Sequence, residues 1–257
     1  MYASSVVAAK SVSESLSESW KSVTRHLGPF IGFTLLFYLV YMVVAVIPGL
    51  NLLANLFSFI FSVSMYSAFH QLDRNGRLGL GDFFQWTPQF GRLLLAHLCV
   101  LGVALVLIIP LMIVLGATVG LAFFSGNFTR GHVNPDEVAR FAAGPIILFT
   151  VLILVVVVVL LLLTFALMYI VQFRNLTIGA SLKLSWKVGR TNIGQLLLFV
   201  LLTMGVALLG LLALGIGLLV AIPVIAGMQY YFLRGIFPES DSSRWDFMGP
   251  DREGREI

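Results

Sequence analysis

Four long stretches of this chain contain no Asp, Glu, Lys or Arg: Leu27–Phe69, Leu93–Thr129, Phe141–Phe173 and Thr191–Leu233. A helix needs about 20 predominantly apolar residues to cross a hydrocarbon core of about 30 Å. Every uncharged stretch is therefore long enough to span, and a soluble core has no use for so many. The first and last are long enough for two spans each and carry turn residues near their middles. These are Ile47-Pro48-Gly49-Leu50-Asn51 and Gly215-Ile216-Gly217, the usual breakers of a regular element. The middle two stretches lack such a turn. Pro110 sits among strong apolar residues, which suits a kink within one helix rather than a reversal. Pro145 lies near the start of its stretch, where a helix tolerates proline.

The expected architecture is all-α, a polytopic bundle of six transmembrane helices in three hairpins over 27–70, 90–173 and 191–235. Short amphipathic helices over 5–26, 81–87 and 176–190 lie in the membrane interface, within a single domain of residues 1–237. Residues 238–257 form a polar cytoplasmic tail. Composition agrees: 59% of the 257 residues are hydrophobic and only 11% charged, against roughly a quarter charged in a soluble domain. This excludes a soluble enzyme, a disordered chain and a nucleic-acid binder, despite the net charge of +4. The lone cysteine, Cys99, leaves no internal disulfide to form. The first residues lack the basic start and cleavage site of a secretory signal, so the first apolar run is expected to be retained.

Charge placement sets the orientation. If both termini and the loops after spans 2 and 4 share one side, that side collects 14 of the 16 Lys and Arg, and only Arg130 and Arg140 fall opposite. The positive-inside rule then puts both termini in the cytoplasm of a cell whose inner membrane holds the protein.

An internal repeat is visible. Ser15-Leu16-Ser17-Glu18-Ser19-Trp20-Lys21 aligns with Ser181-Leu182-Lys183-Leu184-Ser185-Trp186-Lys187. In the same register follow Gly28 with Gly194, Phe33 with Phe199, and Leu35-Leu36 with Leu201-Leu202. A weaker third copy starts at Asp82-Phe83-Phe84-Gln85-Trp86, with Gly91 opening the span. Units that enter from one side are parallel repeats about an axis along the membrane normal. In the lead-in segments, apolar residues recur every three to four positions (Val12, Leu16, Trp20, Val23, Leu27; then Ile178, Leu182, Trp186). Trp20, Lys21, Arg25, Lys183, Trp186, Lys187 and Arg190 are candidate interface residues. Trp and basic side chains favour headgroup level, and basic clusters attract anionic lipid; plain topological anchoring uses the same residues.

The amphipathic Ser-x-x-x-Ser-Trp-Lys segment, a Gly, a hairpin, Gly-x-Gly-Leu-Leu-Val-Ala-Ile-Pro and the aromatic end Met-Gln-Tyr-Tyr-Phe-Leu-Arg form a familiar pattern. It resembles the bacterial six-span membrane proteins of the YciC-like kind, and is similar to the membrane domain attached to some glycerophosphodiester phosphodiesterases. The likeness is clearest over residues 176–237, fair over 12–70 and architectural between. It implies a fold and a membrane location. It does not imply phosphodiesterase activity, because a catalytic barrel alone takes about 250 residues and the chain carries none.

Few residues offer chemistry. Ion- or proton-coupled carriers place acids or bases in the membrane core, whereas here the one ionisable side chain well inside a stretch is His97. It is a candidate intramembrane polar site, and a histidine bonded to a neighbouring backbone group or hydroxyl is the plainer reading. His26 and His70 are expected near one membrane face; paired histidines can hold haem iron, but these lie at the polar boundary. In the 125–140 loop, His132, Asp136 and Glu137 suit a cation, and equally suit a helix start with Asn134 as cap and Pro135 first. Asn127-Phe128-Thr129 matches a glycosylation acceptor. Gly116 and Gly120 make a Gly-x-x-x-Gly face, which suits dimerising subunits or, the plainer reading, packing within one protomer. There is no catalytic triad, metal-spaced cysteine pair or phosphate loop.

These features indicate a non-enzymatic integral membrane protein with no cofactor and no metal, acting as a structural, assembly or lipid-associated component. Membrane lipids with anionic headgroups are its expected partners, along with a homo-oligomer or a larger membrane complex. The alternative is a transporter or flippase for an apolar or lipid-like substrate, which needs no buried charge.

Overall fold

The structure is a computed structural model, described over residues 11–47, 54–124, 135–174, 176–213 and 216–237. The expected turn at Pro48–Asn51, the loop carrying Asn127, His132 and Asn134, and the tail over 238–257 lie outside the described residues, as do the side chains of Gly120, Asp136 and Glu137. Every regular element described is helical: α1 (Val12–Arg25), α2 (Leu27–Val46), α3 (Ala54–Asn75), α4 (Phe90–Phe124), α5 (Pro135–Thr164), α6 (Leu167–Phe173), α7 (Ile178–Thr191), α8 (Ile193–Leu212) and α9 (Leu218–Ile236). Two 3₁₀ turns, Leu80–Phe84 and Thr87–Gln89, connect α3 to α4.

Five segments among the described residues are long and apolar enough to cross a membrane: Leu27–Val46, Leu80–Ala117, Ile147–Phe173, Ile193–Leu212 and Leu218–Ile236. Their outward faces require lipid. Val46 is 80% exposed, Leu212 79% and Val106 72%, in apolar surfaces far more extensive than a soluble monomer shows. The chain is a membrane protein. Pro110 sits inside α4 without ending it, as its apolar flanks led one to expect.

The sixth expected span falls on α3, which is helical but not among the five. Serines, His70 and Gln71 lower its hydropathy, and the reason is where it lies. From Val63 to Phe69 every residue is buried, so this part of the helix meets protein on all sides. α9 behaves similarly: over half of its apolar window is buried (56%), against 17% or less for the other four.

α3, α6 and α9 converge at the end of the bundle where all three finish. Lipid tails are as apolar as Leu, so helices in a bilayer associate through close packing and polar contacts. Here aromatic rings supply the packing. Phe69 lies 5.9 Å from Tyr230 and 4.9 Å from Phe30, and Tyr169 lies 5.8 Å from Tyr230 (ring centroids). Such pairs add about 0.5–1.5 kcal/mol each beyond their burial.

Span 4 is not one helix. α5 stops at Thr164 and α6 starts at Leu167, with no glycine or proline at the break. Backbone groups freed in a membrane must find partners, and neighbouring side chains provide them. The Ala166 amide donates to the Ser185 hydroxyl (3.3 Å), which donates to the Leu162 carbonyl (3.3 Å), and Gln229 Nε2 donates to the Phe165 carbonyl (2.7 Å).

α1 and α7 are each 14 residues long, and α2 and α8 each 20, with every bound displaced equally, in the register of the sequence repeat. Ser11 caps α1 by accepting from the Glu14 amide, and Thr177, its counterpart in that register, caps α7 by accepting from the Ala180 amide. Such caps contribute about 1 kcal/mol. The segment expected as a third amphipathic helix differs: it forms the two 3₁₀ turns, with Phe83 fully buried and the Trp86 indole donating to Ser64 Oγ at 2.8 Å. Trp86 is thus a core residue rather than an interface residue.

Candidate functional site

α1 crosses α9 and divides its flank into two hollows. The crossing is close because Gly227 has no side chain: a Cβ there would stand 2.3 Å from Ser19 Oγ and 2.4 Å from Phe69 Cζ. Ser19 is fully buried and donates to the Val224 carbonyl at 2.6 Å. On one side of the crossing, Leu16 and Trp20 line an apolar hollow of about 590 Å³ against Val220, Ala221 and Val224 of α9. On the other, toward the end of α9, Glu18, Lys21, Ser22 and Arg25 line a polar hollow of about 530 Å³.

The floor of the polar hollow comes from α3 and α9. Arg234 pairs with Asp73, and the Tyr231 hydroxyl donates to Asp73 Oδ1 at 3.2 Å while sharing a 2.8 Å hydrogen bond with the Ser22 hydroxyl. Burial pushes the Asp73 carboxyl above the usual range. Arg234 and the hydroxyls of Tyr231 and Tyr230 pull it back, and Glu18 adds to the rise. Lys21 and Arg25, one turn apart, are exposed, and neither pairs with a carboxylate among the described residues.

The sequence candidates separate into two groups. Trp20 is 54% exposed and faces the apolar hollow, whereas Lys21 and Arg25 face the polar one. On α7, Lys183, Lys187 and Arg190 lie on the helix surface. The Arg190 guanidinium stands 5.9 Å from the centroid of the half-buried Trp186 ring, and this group lines no described hollow.

His97 is half-buried with its ring stacked on Phe59 at 4.9 Å, and its Nε2 has no hydrogen-bond partner among the described residues. His26 Nδ1 donates to the Ser22 carbonyl (3.2 Å). His70 Nδ1 lies 3.4 Å from the Tyr230 hydroxyl, and its ring packs against Phe173. Among the described residues no three His, Cys, Asp or Glu side chains gather as a metal site would require. A Cβ on Gly116 would meet nothing within 4 Å among the described residues.

Sequence reasoning missed Ser22, Asp73, Tyr231 and Arg234. A signal for them exists: Asp73 and Arg234 are opposite charges placed just after the first and last uncharged stretches, and Tyr231 belongs to the aromatic run before Arg234. It also missed two arginines that tie the same end together. Arg92 donates to the carbonyls of Arg174 and Leu176, just beyond α6, where a helix C-terminus favours positive charge. Arg174, only 7% exposed, donates to the Phe237 carbonyl that ends α9 at 2.9 Å. No protein-family model, no curated protein and no solved structure matches this chain.

Proposed function

We propose that this chain is a non-enzymatic component of a bacterial inner membrane, a structural, assembly or lipid-associated protein with six spans and both termini in the cytoplasm. The observation that carries this reading is the chemistry of the interior. Among the described residues, the buried polar side chains are serines, Thr34 and Gln172, plus Arg174 at the end of α6. None of these is an acid or base placed inside the bundle to couple ions or protons to movement. The positive charge sits instead on the helices that lead into the hairpins, α1 and α7, and at the convergence of α3, α6 and α9.

The matched bounds of α1–α2 and α7–α8 support a parallel repeat, in which a lead-in helix crosses the last helix of another hairpin. α1 crosses α9 through Ser19, and α7 crosses α5 through Ser185. α1 also presents its basic flank to one side of this crossing and Leu16 with Trp20 to the other, as a helix at a membrane interface does. Anionic lipid headgroups are the partners that suit the basic flank. The likeness to the YciC-like proteins belongs to the same reading. The packed aromatic convergence weighs against the transporter alternative, which needs a path between the hairpins.

The test is copurification from native membrane in mild detergent, with bound proteins and lipids both identified. Stable partner subunits or retained phospholipid support the proposal. Substrate movement into vesicles reconstituted with the purified protein, abolished by changing His97, would overturn it in favour of a transporter.

A further inference from the structure

The polar hollow beside α1 has a composition that selects one chemical class. Its acidic floor is already engaged, since Asp73 is held by Arg234 and by the Tyr231 hydroxyl. Lys21 and Arg25 project over that floor from successive turns of α1. An ammonium and a guanidinium side by side suit a phosphate-type anion, the first as a point charge and the second as a planar fork. With Asp73 paired to Arg234, Glu18 offsets one of the two remaining cations and leaves the hollow with a net charge of about +1, so a singly charged phosphodiester is favoured over a doubly charged phosphate monoester or free phosphate. The position points the same way: Trp20 and Leu16, on the other flank of α1, face the apolar hollow across the helix, which puts the two cations at a boundary between apolar and polar surface.

Building on the lipid-associated reading, we propose that this hollow of about 530 Å³ is a binding site for the phosphodiester headgroup of a glycerophospholipid, with Lys21 and Arg25 as the partners of the anion and Ser22 and Tyr231 as its hydroxyl wall. A basic pair of the same spacing on α7, Lys183 and Lys187, is exposed on the helix surface and serves as an internal control of equal charge.

The experiment measures retention of phosphatidylglycerol by the full chain in a neutral detergent, using native mass spectrometry. Lys21→Gln with Arg25→Gln is compared with Lys183→Gln with Lys187→Gln, and diacylglycerol and inorganic phosphate serve as competitors. The site predicts a loss of about tenfold or more for the α1 pair, a change under about twofold for the α7 pair, and no displacement by either competitor. The swap Lys21→Arg with Arg25→Lys, which keeps both charges, restores retention. Equal losses for the two pairs would leave lipid association standing and overturn the site. Unchanged retention in the α1 variant, or displacement by inorganic phosphate, would overturn it too. Absence of any retained phospholipid in the unmodified protein would remove the lipid reading itself.

Discussion

Ser19 donates to the Val224 carbonyl across 2.6 Å, and Ser185, which opens the same Ser-Trp-Lys triplet on α7, donates to the Leu162 carbonyl across 3.3 Å. Both serines are fully buried. One small hydroxyl therefore fastens each lead-in helix to a spanning helix, at positions where the sequence carries the same Ser-Trp-Lys.

Replacing either serine by Ala is expected to lower stability by about 1 kcal/mol, the usual net value of a hydrogen bond and near what is found between membrane helices. The two crossings share no partner, so the double variant is expected to lose the sum. Thermal melts in detergent check this. Melting unchanged in both single variants would mean that packing alone holds α1 and α7.

Gly227→Ala is expected to cost about 1–3 kcal/mol, because its methyl group collides with Ser19 and the Phe69 ring. Gly102→Ala, where a Cβ meets nothing within 4 Å, is expected to be neutral or slightly stabilising. Similar melting shifts in the two variants would contradict the close crossing.

Arg174→Met strips the donor from the Phe237 carbonyl and empties a buried charged site, with an expected loss of about 1.5–3 kcal/mol. Limited proteolysis provides the local readout: cleavage after Phe237 is expected to accelerate relative to cleavage elsewhere. A uniform change would show that Arg174 does not tie down the end of α9.

Asp73 makes stability depend on pH with a definite sign. Its carboxyl is raised in the fold, first by burial and with a contribution from Glu18, while Arg234, Tyr231 and Tyr230 oppose the rise. The folded state therefore holds the proton more tightly than the unfolded chain. The contribution is fully present below the ordinary carboxylate value of about 3.9 and is lost as pH rises through the elevated one. The melting temperature of the unmodified protein minus that of Asp73→Asn is expected to fall with pH across this mildly acidic window and then level off. A difference that grows with pH would mean that the Arg234 pair dominates burial.

Helix positions were readable wherever uncharged length set them. Pro110 bends no reversal into α4, but the caps Ser11 and Thr177 were not read, and α1 starts at Val12 rather than at the expected residue 5. The break after Thr164 was not readable, because the partners that make it tolerable, Ser185 and Gln229, are supplied from α7 and α9. The burial of α3 was equally hidden: its serines look like weakened lipid-facing positions until Ser64 and Ser67 are seen accepting from Trp86 and Gln172. Of the polar hollow, only Lys21 and Arg25 were visible beforehand, since its floor joins α3 to α9, at opposite ends of the sequence.

The most direct test of the lipid-associated reading proposed above is the composition of the lipid that surrounds the protein. The protein is excised from its native membrane in polymer-bounded discs, and the phospholipids are compared with those of the bulk membrane. Enrichment of anionic phospholipid, reduced when Lys21 and Arg25 are replaced by Gln, is the predicted result. A composition identical to the bulk membrane would contradict it.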